Sequence, residues 1–213
     1  MNKKTIYVTG ATGGIGTEVS KLLEPNYHIV PLTSRLEDLN QLEQEIRGLI
    51  KTNPPFGVIH CAGFGLFEPH EELNPKQIAS LFQVNLTAPA VIDSLVLRSI
   101  KEQQGCIIHV TSLEATKPGK WTAAYSASKA GLRMLSHCLA EETRKYGVRV
   151  CSINPGITRT RFFKKLTFSP MDGLEYALEP KDLALVVRQI LEFPGIVQDM
   201  TIIPQKVGIE KTK

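Results

Sequence analysis

The sequence predicts an α/β fold, a parallel β-sheet covered by helices on both faces in three layers. Two observations carry this. Along the 213 residues, short apolar runs alternate with longer stretches of helical character, the order that parallel strands joined by crossover helices require. The first run, Thr5 to Thr9, is largely apolar rather than strictly alternating, as suits a strand buried on both faces.

In chain order, a strand at 5–9 is followed by Gly10, Gly14 and Gly16, and a helix is expected at 14–24. A strand at 28–32 precedes a helix at 38–52, which Pro54 and Pro55 stop before a strand at 56–60. One long helix is expected at 75–102, with Ile78, Leu81 and Phe82 as core or subunit contacts. A strand at 106–111 and a helix at 123–146, carrying Leu132, Leu135 and Leu139, come next. A strand at 148–153 runs into a proline–glycine turn. Glu179-Pro180-Lys181-Asp182 reads as the start of a helix at 180–192, since proline suits the first turn. A last strand is expected at 199–203.

Residues 1–213 are expected to form one domain. A hydrophobic content of 42% and a charged content of 22% are ordinary for a globular protein. The net charge of +4 is mild, and the basic residues are scattered without interleaved aromatics, which argues against a nucleic-acid partner. Cys61, Cys106, Cys138 and Cys151 lie far apart and the five histidines are scattered, so no metal site is expected. Free thiols suit a reducing, cytoplasmic setting. No stretch is expected to reach membrane-span length, and the N-terminus has no signal-type apolar region.

The chemistry-bearing pair is Tyr125 and Lys129 in YSASK, thirteen residues after Ser112. Positions four apart share a helix face. An ammonium there favours the phenolate and is expected to draw the tyrosine pKa down from about 10. Such a tyrosine exchanges a proton with an alcohol or carbonyl oxygen, which the Ser112 hydroxyl would also hold. At the other end, TIYVTGATGGIG (5–16) reads as strand, glycine turn and helix start. Backbone amides and the helix dipole favour a pyrophosphate there.

These features together resemble the short-chain dehydrogenase/reductase family. The matching pieces are TGATGGIG at 9–16, CAG at 61–63, VNL at 84–86, Ser112, YSASK at 125–129 and NPGITRT at 154–160, in the family's order. The resemblance implies a Rossmann-like, doubly wound sheet and an oxidoreductase acting on a small carbonyl or alcohol. It implies Tyr125 as acid/base, Ser112 orienting the substrate oxygen, Lys129 on the nicotinamide ribose, and Asn85 holding a proton-relaying water. It implies cofactor contacts at Gly10, Thr12, Gly14, Ile15, Gly16, Ala62, Gly63, Tyr125, Lys129, Pro155, Gly156, Thr158 and Thr160. It also implies a homodimer or homotetramer built on the two long helices. The alternative is a catalytically silent dinucleotide-binding sensor or interaction protein of the same fold.

One departure stands out. Only 25 residues separate Arg35 from Cys61, where a family member has helix, strand and helix. The outer helix–strand unit is expected to have shrunk, with Leu36 to Leu39 as its remnant and Asp38 as a candidate near adenine. Past the second strand stand Thr33, Ser34 and Arg35, with no carboxylate at 31–35. An acid there suits the free ribose of NAD and an arginine the 2′-phosphate of NADP. Ser34 and Arg35 therefore favour NADP(H), with NAD(H) possible. Arg161 to Leu166 corresponds to the family's lid. Its basic residues meet either an acidic substrate or solvent.

Overall fold

The computed structural model describes residues 3–211. Six parallel strands, β1 (Lys4–Thr9), β2 (Tyr27–Pro31), β3 (Gly57–His60), β4 (Cys106–Val110), β5 (Arg149–Pro155) and β7 (Asp199–Ile202), form one sheet in the order β2-β1-β3-β4-β5-β7. Two short strands, β6 (Phe168–Pro170) and β8 (Ile209–Lys211), pair antiparallel outside it. These went unread because three residues give no periodicity to detect.

The strands alternate between two cores. On one face Ile6, Val8, Ile59, Ile108 and Ile153 pack with α1 (Gly14–Leu23) and α6 (Pro180–Glu192). On the other, Tyr7, Val58, Ile107 and Val150 pack with α2 (Leu39–Thr52), α4 (Ala88–Glu102) and α5 (Ala123–Thr143). This is the doubly wound, three-layer arrangement. The chain leaves β1 for β2 on one side and resumes at β3 on the other. That switch point opens a crevice at the strands' carboxyl ends. The expected shortening after β2 is present: α2 alone joins β2 to β3, leaving β2 at the edge.

Three expectations are corrected. The helix at 75–102 is divided into α3 (Pro75–Phe82), a π-helical turn at Gln83–Thr87, and α4. The wide turn rotates Asn85 inward, where its side chain is fully buried. The run Pro75–Glu102 is also long and apolar enough to cross a membrane by length and composition. Leu81, Ile92, Val96 and Ile100 are instead spent in the core, and Asn85 and Asp93 are buried on the same run. Its apolarity thus follows from its position between sheet and neighbouring helices. At its far end α5 stops at Thr143 and a 3-10 turn, Arg144–Tyr146, carries the chain to Gly147 at φ 71°. The helix at 180–192 starts as expected: Pro180 stands in the first turn and the Asp182 carboxylate accepts from Glu179 N at 2.9 Å.

Candidate active site and dinucleotide cleft

The turn after β1 is built so that only glycine fits. Gly10 sits at φ 65°, and a Cβ there would lie 2.8 Å from Ala62 Cα. A Cβ on Gly16 would run into the Gly10 carbonyl oxygen, and one on Gly14 would come within 2.8 Å of Thr160 Cγ2. No side chain caps the N-terminus of α1, so its leading amides stay open. Thr12 is exposed on the turn, and Ala62 N donates to Thr9 Oγ1 at 3.2 Å, holding Ala62 and Gly63 beside it. This glycine cradle fits the pyrophosphate of a dinucleotide.

A cleft of about 830 Å³ runs from the glycine turn to the lid. Ile15, Gly63, Ser112, Tyr125, Lys129, Pro155, Gly156, Thr158 and Thr160 all line it. Tyr125 and Lys129 lie one turn apart on α5, 6% and 4% exposed. Ser112 ends the extension of β4, caps the 3-10 turn Leu113–Ala115 by accepting from Glu114 N at 3.1 Å, and hydrogen-bonds Tyr125.

The electrostatics differ from expectation. Burial pushes the Tyr125 phenol up to about 12; the Ser112 hydrogen bond opposes this and the charge of Glu114 adds to it. Lys129 does not draw it down. Its Nζ donates to Val110 O at 3.0 Å, and burial lowers its own pKa to about 8 against a small opposing pull from Cys61. Two desolvated groups each disfavour their charged form, and burial is the largest cause at both.

Asn85 lies beneath the cleft rather than in its wall. Its Nδ2 donates to Phe64 O at 2.9 Å and Ser128 Oγ at 3.1 Å, while Oδ1 accepts from Phe64 N at 3.1 Å. The amide thus anchors the loop after β3, with one lone pair of Oδ1 left over. A Cβ on Gly63 would lie 3.0 Å from Lys129 Nζ and 3.1 Å from Asn85 Oδ1. Beyond β5, Thr158 Oγ1 donates to Gly156 O at 3.1 Å, and Thr160 Oγ1 accepts from Phe162 N at 3.2 Å, starting the 3-10 turn Arg161–Lys165. Arg161 and Lys164 face solvent while Phe162 and Phe163 line the cleft.

Ser34 and Arg35 follow β2, outside the cleft's lining. A carboxylate does reach this loop, from a distance the local sequence does not reveal. Glu45 of α2 accepts from Thr33 N and Oγ1, both at 2.8 Å, and from Ser34 N at 3.0 Å. Burial raises its pKa, but these hydrogen bonds prevail and hold it below the ordinary carboxylate range. The exposed Arg35 guanidinium makes no hydrogen bond among the described residues. Asp38 caps α2, accepting from Gln41 N at 3.0 Å.

Sequence reasoning also missed a buried triad. Parallel register sets His60 of β3 beside His109 of β4, with rings stacked 4.9 Å apart. Asp93 of α4 takes both Nε2 atoms at 2.9 Å. The histidines that look scattered in the sequence thus share one carboxylate, which ties α4 to the sheet behind the cleft. Burial pushes Asp93 up, but His60 and His109 hold it down to about 2. Burial lowers His109 against the pull of Asp93. Only the strand register could have signalled the pairing. Asp199 of β7 plays a similar tying part, gathering Arg133 Nη2 at 2.6 Å, Asn154 Nδ2 at 2.8 Å and Ser152.

Residues 56–169 match the family model described as short chain dehydrogenase. The L-xylulose reductase of Caenorhabditis elegans is 30% identical over 185 residues, 74% of this chain and 72% of that protein. Among solved structures, an alcohol dehydrogenase from Thermococcus sibiricus complexed with 5-hydroxy-NADP superposes with a TM-score of 0.84 at 21% identity, over 94% of this chain and 96% of that one. A 4-hydroxyisoleucine dehydrogenase complexed with NADH gives 0.83 at 24% identity, over 95% and 97%. These two show likeness of fold. The family model covers more than half the chain and agrees with the architecture and the cleft, so this chain belongs to the short-chain dehydrogenase/reductase family.

Proposed function

We propose that the protein is an NADP(H)-dependent oxidoreductase that interconverts a small carbonyl compound and its alcohol, with Tyr125 as acid/base. The observation that carries this reading is the convergence of Ser112, Tyr125 and Lys129 on one cleft that begins at a glycine cradle. A nicotinamide dinucleotide, when bound, supplies or accepts the hydride. Gly10, Thr12, Gly14, Ile15 and Gly16 would hold its pyrophosphate end; Ala62 and Gly63 its adenosine side; Lys129, Pro155, Gly156, Thr158 and Thr160 its nicotinamide end. The bound dinucleotides of the Thermococcus sibiricus and 4-hydroxyisoleucine dehydrogenases, an NADP derivative and NADH, support a site of this class.

In reduction, the substrate oxygen would sit between the Ser112 hydroxyl and the Tyr125 phenol. Tyr125 is a neutral phenol well above neutral pH, so it is loaded as a proton donor. Lys129 would hold the ribose and refill the phenol's proton, with Asn85 donating to the Ser128 hydroxyl that lies between them in the helix. The preference for NADP rests on Arg35, whose guanidinium is unspent while Glu45 is consumed by Thr33 and Ser34. The same reading takes residues 1–213 as one functional domain and the protein as a cytoplasmic homodimer or homotetramer. Supporting these are the four free cysteines and Met134, 58% exposed on α5.

The test is NADPH oxidation over a panel of carbonyl compounds, with Tyr125→Phe as control. Turnover by the wild type that the variant loses supports the reading. Equal inertness of both, with NADPH still bound, would leave a dinucleotide-binding sensor.

A further inference from the structure

The far end of the cleft is aromatic. Phe67, from the loop after β3, lies 5.2 Å from the Tyr125 ring, 5.9 Å from Phe162 and 5.3 Å from Phe168. Phe163 closes the group at 5.5 Å from Phe162 and 5.8 Å from Phe168. The catalytic ring is therefore one wall of a continuous aromatic cluster. Such walls prefer flat apolar partners, offset or edge-on.

At the rim stands Trp121, at φ 61° and 53% exposed. A bulky side chain in the left-handed region is strained, and strain of this kind gathers at binding sites. Lys120 Nζ lies 4.5 Å over its ring, and among the described residues the indole meets no other ring. It lines the cleft with one face unspent.

Inside, one polar group lacks a partner. Glu114 lines the cleft, and its Oε2 is buried with no hydrogen bond. Gly119 is packed so closely against that oxygen that a Cβ there would collide with it. A buried unsatisfied acceptor is costly, and a donor on a ligand relieves it. Of the lysines that line the cleft, Lys120 and Lys211 are exposed at its rim, and Lys129 is buried beside Tyr125 with its Nζ donating to Val110 O. Among the described residues no cation is bonded to the Glu114 Oε2 atom, so an anionic group placed against that carboxyl would meet its like.

We propose that the substrate is a flat, apolar carbonyl compound that carries a hydrogen-bond donor and no anionic group, with Trp121 and Glu114 as its specificity determinants. This deepens the oxidoreductase reading and rests on it for the reaction. The carbonyl carbon takes a hydride from the reduced dinucleotide and the carbonyl oxygen a proton from Tyr125 Oη, so that C=O becomes CH–OH. The ring would lie among the phenylalanines under the indole, and the donor would face Glu114. A hydroxyl-rich sugar would set its hydroxyls against the phenylalanine rings there.

Trp121 is the single tryptophan of the chain, so its fluorescence reports occupancy without turnover. The probes are 4′-hydroxyacetophenone, acetophenone, 4-acetylbenzoate and a ketopentose, each titrated with NADP⁺ present and each assayed with NADPH. We expect saturable quenching in that order of affinity, with 4′-hydroxyacetophenone at least tenfold tighter than 4-acetylbenzoate. Glu114→Gln should narrow that ratio at least threefold. Tighter binding of the carboxylate or the sugar, or a ratio unmoved by Glu114→Gln, overturns the proposal. The expected quenching without any turnover would sustain the pocket chemistry and remove the oxidoreductase reading.

Discussion

Lys129 Nζ donates to the Val110 carbonyl oxygen at 3.0 Å, so the Tyr125 phenol, one turn earlier on the same helix, is held by Ser112 instead. The pair shares a cleft while burial pushes each member toward its neutral form, in opposite senses. Lys129 is lowered to about 8 and Tyr125 raised to about 12.

This sets a pH profile. On the proposed reaction, carbonyl reduction draws on the protonated phenol, which persists through neutral pH, and should decline above about pH 8 as Lys129 loses its charge. Alcohol oxidation needs the phenolate and should keep rising through the alkaline range. Tyr125→Phe should lower kcat/KM in both directions by about 10²- to 10⁴-fold. Steady-state rates from pH 6 to 10 check this. An oxidation rate that levels off near neutrality would contradict the raised phenol.

Lys129 also leaves a mark on stability. Its folded pKa lies below the unfolded one, so between about 8 and about 10.5 the unfolded chain binds more protons and stability rises with pH. Burying the charge costs about 3 kcal/mol at pH 7, given 1.36 kcal/mol per unit. Lys129→Met removes that cost but strands the Val110 carbonyl, worth about 1–3 kcal/mol. The variant should keep the wild-type Tm at pH 7 and lose the alkaline gain. Thermal melts across pH 7–10 decide, and a clear drop in Tm at pH 7 would show that the lysine is structurally stabilising.

Arg35 should govern the choice between dinucleotides. Arg35→Ala removes a charge-assisted contact of about 1.5–3 kcal/mol, so KM for NADPH should rise roughly 10- to 100-fold with KM for NADH little changed. Glu45→Ala frees Thr33 and Ser34 together and should weaken both dinucleotides. Equal affinity of the unmutated protein for NADPH and NADH would end the NADP assignment.

The buried triad predicts acid lability. Asp93 has a folded pKa of about 2, below its unfolded value, so its contribution is present above about pH 4 and lost as pH falls toward 2. His109 is also lowered. The unfolded chain therefore binds the extra proton below about 6.5, and stability already declines from there. Asp93→Asn presents an amide N–H to one of the two rings and should cost about 1–3 kcal/mol. Denaturant melts at pH 7 and pH 5 measure both effects. A wild type equally stable at the two pH values would refute the role given to His109.

Much of the site was legible locally. The spacing of Tyr125 and Lys129 fixed their shared helix face, and Gly10, Gly14 and Gly16 marked a turn that no other residue fits. The shortened stretch after Arg35 marked a missing outer strand. Each is a matter of neighbours in sequence, where period and steric freedom act directly. Asn85 was found, but not its π-helical turn, because one extra residue in a helical run leaves no mark on apolar spacing.

What sequence alone determined is therefore the fold class, the order of the main sheet's elements and the shared helix face of Tyr125 and Lys129, since these follow from short-range periodicity and backbone geometry. Tertiary structure decided the rest. It brought Glu45 to Thr33, set His60 beside His109 over Asp93, gathered Phe67 with Phe162 and Phe168, and turned the Tyr125 pKa upward. All four depend on groups far apart in the chain meeting where water is excluded, and neither that meeting nor that desolvation is written in any local pattern.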